Sequence, residues 1–286
     1  MSAAVGRTAG FVASVAAVVA IASGAPAAAA EAAAAGSAAP AVTTVFAAGS
    51  LRAVLLDVAS AFEAAPKGQP LRLVFGASGL LRERLQAGES ADVFASANME
   101  HPEALAASGR ARTVEPFARN KLCALASPSF QLAGKSLAER LLDPQVKLGT
   151  STPKADPSGD YAFMMFERIE SSGALPPGSA AQLAAKALQL TGGPASPPPP
   201  KDRNVYGQLI AEGSADVFIT YCTNATVARR EQPQLQVLPI ADTYNVFARY
   251  GLAVLEPATP AARHFADYLR GPEGQRLLEA HGFSAP

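Results

Sequence analysis

Two serines, Ser50 and Ser78, stand where the sequence predicts the start of a helix. Each follows an apolar run that ends in small residues, over 45–49 in the first copy and 71–77 in the second. Serine is a preferred N-cap residue, and the first N–H groups of a helix have no partner within the helix. We therefore expect both serines at N-caps, where a hydroxyl and free N–H groups at the positive end of the helix dipole can bind a small oxyanion without lysine or arginine.

A third turn of the same kind lies further along the chain. The polar segment 156–160, Asp-Pro-Ser-Gly-Asp, separates an apolar strand pattern at 146–149 from a helical pattern that starts at Tyr161. In a parallel sheet all such strand-to-helix turns lie at the carboxyl edge, which is the edge where ligands bind in open α/β sheets. Three turns of this kind predict one oxyanion site built from neutral donors.

The elements that must position these turns alternate between strand and helix along most of the chain. This alternation predicts an α/β fold with mainly parallel sheets. The sequence Ser-Ala-Asp-Val-Phe occurs at both 90–94 and 214–218, each time after a helical segment closed by glycine. The repeat predicts two lobes built on similar units. A helix is expected over 180–190, followed by a stiff surface loop at 191–200 that ends in four prolines.

Motifs for enzyme chemistry are incomplete in this sequence. The segment 76–79, Gly-Ala-Ser-Gly, is one residue short of a nucleophile elbow, and 134–136 carries only the end of a phosphate-binding loop. The histidines have no zinc-type spacing, and they are His101, His264 and His281. The sequence therefore predicts no enzyme and no metal site, with a secreted serine hydrolase as a remote alternative.

The N-terminal part of the chain is typical of an exported protein. Residues 1–30 combine a basic residue, a short apolar run and Ala-x-Ala cleavage sites, which predicts a signal peptide. The alanine-rich stretch 31–40 is interpreted as a disordered leader. The chain has 24 basic and 24 acidic residues, a balance that does not favour binding to nucleic acid. We expect a mature protein in the periplasm.

Two cysteines, Cys123 and Cys222, are the whole cysteine content of the chain. Export permits a disulfide between them. Each lies on a predicted strand or at its end, so pairing depends on a proximity that the sequence does not show. Two buried thiols are the alternative, and the choice between them stays open at this point.

Five segments together resemble the periplasmic molybdate-binding proteins of ABC importers. They are VFAAGSL at 45–51, FGAS at 75–78, ADVFASA at 91–97, RNKL at 119–122 and ITY at 219–221. The resemblance implies a type II periplasmic-binding-protein fold, in which two mixed, mostly parallel sheets are joined by a hinge. It implies one lobe over 41–118 and 246–286 and a second over 119–245. It further implies a monomer without cofactor that binds molybdate and tungstate and delivers them to a membrane permease.

The resemblance also implies which residues bind the anion. Ser50 and Ser78 would each donate from the hydroxyl and the backbone N–H. Ser158 and Val205 would donate from backbone N–H groups, and Tyr221 would donate from its phenol. All five donors are neutral, so the anion's charge would be spread over hydrogen bonds.

The third turn departs from the family pattern. It is longer than usual, and Ser158 stands where relatives usually carry alanine. Asp156 and Asp160 are unfavourable beside an anion unless they face away or pair with Lys154 or Arg203. These departures leave a second ligand class open, namely another oxyanion or a small organic anion in the same cleft.

Overall fold

The computed structural model describes residues 42–200 and 203–286. The signal peptide and leader that the sequence predicts for residues 1–40 lie outside the described residues. The strands are β1 Thr43–Ala48, β2 Leu71–Gly76, β3 Val93–Ser96, β4 Ala111–Ala126, β5 Leu148–Ser151, β6 Leu188–Thr191, β7 Val217–Tyr221, β8 Gln236–Pro239 and β9 Phe247–Leu255. The helices are α1 Arg52–Ala64, α2 Ser78–Gln86, α3 Glu100–Ala107, α4 Leu137–Leu142, α5 Pro157–Ser171, α6 Ser179–Lys186, α7 Val205–Ala211, α8 Cys222–Glu231, α9 Pro260–Arg270 and α10 Pro272–Ala280.

The strands form two sheets that share the long strand β4. The hydrogen-bonded order is β2-β1-β3-β9-β4-β7-β5-β6, with β8 also paired to β4. Residues 111–121 of β4 pair with β9 in the first sheet, and residues 122–126 pair with β7 and β8 in the second. Parallel pairs, such as β1 with β2 and β5 with β7, occur in both sheets beside antiparallel ones. The predicted α/β class with two mixed sheets is therefore confirmed.

Local sequence explains why these elements form. Every residue of β1 is buried, as expected for a central strand covered by helices on both faces. Helix α9 buries Ala262, Phe265, Ala266 and Leu269, which recur at the spacing of one helix face. Among the described residues, no helix is long and apolar enough to cross a membrane.

The repeated Ser-Ala-Asp-Val-Phe sequence forms the same structural unit in both sheets. Asp92 donates its N–H to Thr44 O at 2.9 Å and accepts from Thr44 N–H through its carboxylate at 2.8 Å. Asp216 makes the same two bonds with Lys147, at 2.9 and 2.8 Å. Each aspartate therefore joins the start of its own strand, β3 or β7, to a neighbouring chain segment. This local equivalence explains why the sequence motif occurs twice.

A buried asparagine joins the two chain segments that run between the sheets. Asn245 is fully buried just before β9. Its side chain accepts from Leu122 N–H at 3.0 Å and donates to Leu122 O at 2.9 Å and to Ile240 O at 3.2 Å. Leu122 is the position at which β4 changes partner from β9 to β7. The amide side chain therefore replaces backbone pairing at the crossing point.

Three elements differ from the sequence-based expectation. The strand expected at 122–126 begins at Ala111, because residues 111–121 pair with β9. The helix predicted over 180–190 ends at Lys186, and residues 188–191 form β6 because they pair with β5. Helix α8, at 222–231, was not predicted. The differences at β4 and β6 arise from pairing with distant strands, which overrides local propensity.

Candidate functional site

A cleft of about 550 Å³ lies where the two sheets face each other. The first sheet contributes the turns that follow β1 and β2, which carry Ser50 and Ser78. The second contributes Asp156 before α5, Val205 at the start of α7 and Tyr221 at the end of β7. The cleft thus collects four of the five predicted donors, together with the carboxyl groups of Asp156 and Glu231.

Neither predicted serine cap uses its hydroxyl to cap a helix, which corrects that expectation. Ser50 lies in a 3-10 turn at Gly49–Leu51, and Ser78 is the first residue of α2 after Ala77. Ser78 is 1% exposed, and its hydroxyl accepts from Ala97 N–H at 3.1 Å. Because a hydroxyl has a single proton, this contact leaves that proton for an acceptor in the cleft.

The Ser50 hydroxyl ends a hydrogen-bonded chain that connects both halves of the molecule. Its oxygen lies 2.9 Å from the phenol oxygen of Tyr250. Asn120 donates its amide to that phenol at 3.4 Å and to Thr223 Oγ1 at 2.9 Å. An amide nitrogen only donates hydrogen bonds, so the Tyr250 oxygen accepts from Asn120 and its proton is available to the Ser50 oxygen. The Ser50 proton is then available to an acceptor in the cleft.

The phenol of Tyr221 is buried without a hydrogen-bond partner among the described residues. Its ring packs edge-on against Tyr161 and tilted against Tyr250, with centroids 6.4 and 5.6 Å away. Burial, followed by the neighbouring tyrosines, raises the pKa of Tyr221 well above its usual value. The phenol therefore stays protonated, and a buried hydroxyl left without a partner is costly unless a ligand accepts from it.

The third turn, at residues 156–160, does not have the arrangement that the resemblance implies. Ser158 is fully buried, and its N–H donates to Asp156 Oδ1 at 3.0 Å, so that N–H is already used. Asp156, rather than Ser158, lines the cleft. The Ser158 hydroxyl has no partner among the described residues. The assignment of the Ser158 N–H to an anion stays a prediction, and it requires this capping bond to be exchanged.

The two aspartates of this turn lie in different surroundings. Asp160 accepts from the backbone N–H of Lys154 at 2.7 Å and does not line the cleft. Asp156 is the N-cap of α5, and burial raises its pKa to about 6, while the Ser158 N–H acts in the opposite direction. Asp156 is therefore a carboxyl group whose charge is disfavoured by its surroundings.

The start of α7 and the proline-rich loop form one wall of the cleft. Asn204 caps α7 by accepting from Tyr206 N–H and Gly207 N–H, both at 3.1 Å. The N–H of Val205 is the first of the helix, a position without an intrahelical partner. Residues 191–200 were expected as a surface loop, but most of them line the cleft beside Val205.

One backbone contact connects the two sides across the site. Gly79, in the first turn of α2, donates its N–H to Ala155 O at 2.9 Å. A Cβ at Gly79 would lie 2.6 Å from Lys154 O and 2.7 Å from Ala155 O. Only glycine therefore allows the two segments to approach this closely.

A disulfide joins Cys123 to Cys222, with an S–S distance of 2.02 Å. Cys123 lies in β4, and Cys222 directly follows Tyr221 at the start of α8. The sequence left this pairing open. The structure brings the two together because β4 and β7 are antiparallel neighbours, with Leu122 opposite Tyr221.

Sequence reasoning missed the residues that support Ser50, namely Tyr250, Asn120 and Thr223. Asn120 lies within the RNKL segment, one of the five that carried the resemblance, so this motif could have indicated Asn120 as a site residue. Tyr250 and Thr223 carried no motif. Their roles depend on contacts over 200 and 103 positions of sequence, which no local pattern encodes.

The polar groups of the cleft can bind a ligand through hydrogen bonds. Among the described residues, neither serine hydroxyl is hydrogen-bonded to a histidine, lysine or carboxylate. No group of three or more His, Cys, Asp or Glu in the described ranges could hold a metal ion. Hydroxyl and phenol donors converging on one cleft can hold an acceptor-rich ligand such as an oxyanion.

Relatives of the chain identify the family. Residues 43–284 match the bacterial extracellular solute-binding protein family. An uncharacterised protein of Pasteurella multocida is 37% identical over 214 residues, covering 74% of this chain and 86% of that protein. The molybdate-binding protein ModA of Mycobacterium tuberculosis is 27% identical over 245 residues, covering 85% of this chain and 84% of that protein.

Solved structures of other proteins show the same fold. The sulfate-binding protein SubI of Mycobacterium tuberculosis has a TM-score of 0.70 at 18% identity and covers 85% of this chain and 86% of that one. The periplasmic molybdate-binding protein of Azotobacter vinelandii has a TM-score of 0.64 at 19% identity, covering 85% and 99%. These likenesses identify the type II periplasmic-binding-protein fold. With that fold and a family match over nearly all described residues, the chain belongs to the bacterial extracellular solute-binding protein family.

Proposed function

We propose that this protein is a periplasmic solute-binding protein that captures molybdate, and tungstate with it, for an ABC importer. The observation that carries the proposal is the convergence of neutral donors from both sheets on one cleft, with the hydroxyl protons of Ser78 and Tyr221 available to a ligand. Tetrahedral oxyanions offer only acceptors, so they match such a donor set. The molybdate-binding relatives support the choice of anion.

We further propose that the two sheets belong to two lobes, 41–118 with 246–286 and 119–245, which close around the anion. The Gly79–Ala155 contact and the Ser50–Tyr250–Asn120–Thr223 chain are the bonds that closure would form or align. The protein acts as a monomer in this proposal, and a membrane permease accepts the closed form. No chemical step is involved.

Selection between molybdate and sulfate would depend on the size of the closed cleft. Both anions are tetrahedral and accept from the same donors, so hydrogen bonding alone does not separate them. Thermal shift and calorimetry of the mature protein with molybdate, tungstate, sulfate, phosphate and small carboxylates test the proposal. Stabilisation by molybdate and tungstate is expected, and no shift with either would refute it.

Tyr221→Phe is expected to weaken molybdate binding roughly 10- to 100-fold, since it removes one hydrogen bond to a charged ligand. Thermal stability without ligand should not fall, because the lost hydroxyl has no partner among the described residues. Calorimetry and thermal unfolding measure the two effects. Tyr268→Phe, at a tyrosine that packs on Phe62 outside the cleft, is the matched control and should leave affinity unchanged.

Ser78→Ala is expected to lower both affinity and stability, in contrast to Tyr221→Phe. The variant removes a ligand donor and leaves the buried Ala97 N–H without its acceptor. Each loss corresponds to about 1–3 kcal/mol. Affinity from calorimetry and the free energy of unfolding from urea titration report them separately. Unchanged affinity would remove Ser78 from the site.

A second candidate ligand class is favoured by the cleft itself. Its volume of about 550 Å³ lies in the range of pockets that hold organic ligands. Apolar residues, including Phe75, Leu80 and Pro194, form part of the wall. A small organic anion or a different oxyanion would bind its charged end at the same donors. The carboxylates and phosphate of the ligand panel distinguish this candidate, since molybdate would then give no shift.

A further inference from the structure

Asp156 contributes a carboxyl group to the cleft that also holds the predicted donors Ser50, Ser78 and Tyr221. One carboxylate oxygen, Oδ1, is held by Ser158 N–H at 3.0 Å. The other lies against the 191–193 loop, where a Cβ on Gly192 would be only 2.6 Å from Oδ2. The helix start therefore holds one oxygen of the carboxyl group, and the loop packs against the other.

None of the titratable groups that face Asp156 becomes positively charged near neutral pH, so none of them neutralises its carboxylate. They are Asp160 on its own helix, Tyr206 on α7, Tyr221 on β7 and Tyr250 on β9, each electrostatically coupled to it. The charged or titratable side chains that line the same cleft are Arg52, Arg203, Glu231 and His281. The buried tyrosines keep their protons because burial raises their pKa values.

We propose, on the basis of the function proposed above, that Asp156 is a specificity-determining residue that makes the cleft bind its oxyanion together with one proton. A carboxylate and a dianion in one cleft repel each other, and one proton between them converts the repulsion into a hydrogen bond. With molybdate, the proton resides on Asp156. With a protonated oxyanion such as hydrogen phosphate, the ligand supplies it.

The sign of the pH dependence follows from this coupling. Burial already raises the pKa of Asp156 to about 6, and a bound dianion raises it further. The bound state therefore holds one proton more than the free state above that pH. The dissociation constant for molybdate should rise about tenfold for each pH unit on the alkaline side.

The experiment measures molybdate binding to the mature protein by calorimetry between about pH 6 and pH 8, in buffers of different ionisation enthalpy. Uptake of one proton and the tenfold slope are expected for the wild type. Asp156→Asn keeps an acceptor for Ser158 N–H and supplies an amide donor to the ligand, so its affinity should be independent of pH. At the alkaline end it should bind at least about tenfold more tightly than the wild type.

Asp160→Asn is the matched control, since its carboxylate accepts from Lys154 N–H outside the cleft. It should retain the wild-type slope. A slope that persists in Asp156→Asn would assign the proton to another group and would overturn the proposal. Equal affinity of wild type and Asp156→Asn at the alkaline end would also overturn it.

Phosphate and sulfate separate this proposal from the proposed function. If molybdate and tungstate fail to bind at every pH, the proposed function is wrong. The proton-sharing proposal then predicts that phosphate binds the wild type without proton uptake at alkaline pH, and that sulfate binds Asp156→Asn but not the wild type. Equal binding of sulfate to both proteins would contradict it.

Discussion

Gly79→Ala is expected to weaken molybdate binding roughly 10- to 100-fold, because it prevents the two sides of the cleft from meeting. The added Cβ would lie 2.6 and 2.7 Å from the carbonyl oxygens of Lys154 and Ala155. Both oxygens belong to the backbone, so they cannot rotate away as a flexible side chain could. The variant should retain its fold, because a small opening of the cleft relieves the clash.

Gly49→Ala is the control for this prediction. Gly49 also lines the cleft, but the nearest atom to its Cβ would be Gly76 O at 4.0 Å, an ordinary van der Waals contact. Calorimetry gives the affinities, and small-angle scattering with and without ligand reports closure. Gly79→Ala should stay expanded when ligand is added. A variant that binds and compacts like the wild type would show that the Gly79–Ala155 contact is not required for closure.

Removal of the Cys123–Cys222 disulfide is expected to lower the free energy of unfolding by about 3–5 kcal/mol. The bond closes a loop of 99 positions, and long loops lose the most conformational entropy in the unfolded chain. The double variant Cys123→Ala/Cys222→Ala avoids free thiols. Urea unfolding of this variant and of the oxidised wild type measures the difference.

The disulfide also lies beside the site, so its loss should have a smaller second effect. Cys222 follows Tyr221 directly, and Leu122 next to Cys123 is paired with Tyr221 across the two strands. Strand pairing holds Tyr221 even without the bond, and we expect affinity to change less than stability. A stability change below about 1 kcal/mol would show that the strands alone hold this region, against the entropic argument.

In the proposed site the neutral donors bind the anion, and the carboxyl group of Asp156 selects among anions by their protonation. Ser78 and Tyr221 offer hydroxyl protons to any oxyanion. In our proposal, Asp156 favours a ligand that carries a proton, or a pH at which the carboxyl group itself holds one. The three variants at these positions therefore have distinct signatures. Tyr221→Phe lowers affinity alone, Ser78→Ala lowers affinity and stability, and Asp156→Asn removes the pH dependence.

Much of the fold could be predicted from the sequence because many of its elements depend on residues that are close together in the chain. The strand and helix order around Ser50 and Ser78 followed from apolar runs, small residues and turn positions. The repeat at 90–94 and 214–218 predicted equivalent units, and Asp92 and Asp216 make equivalent bonds. The segments 111–121 and 188–191 were missed because they become strands by pairing with distant partners, and the helix at 222–231 was missed as well.

The sequence by itself determined the α/β class, the order of its units and the presence of anion-type turns, since each depends on residues close together in the chain. The tertiary structure decided which polar groups those turns present to a ligand. It turned Ser50 toward Tyr250 and Ser78 toward Ala97, and it brought the carboxyl group of Asp156 to the cleft. Contacts between residues of the two sheets determine the hydrogen bonds in the site. Short-range sequence patterns carry no information about such contacts.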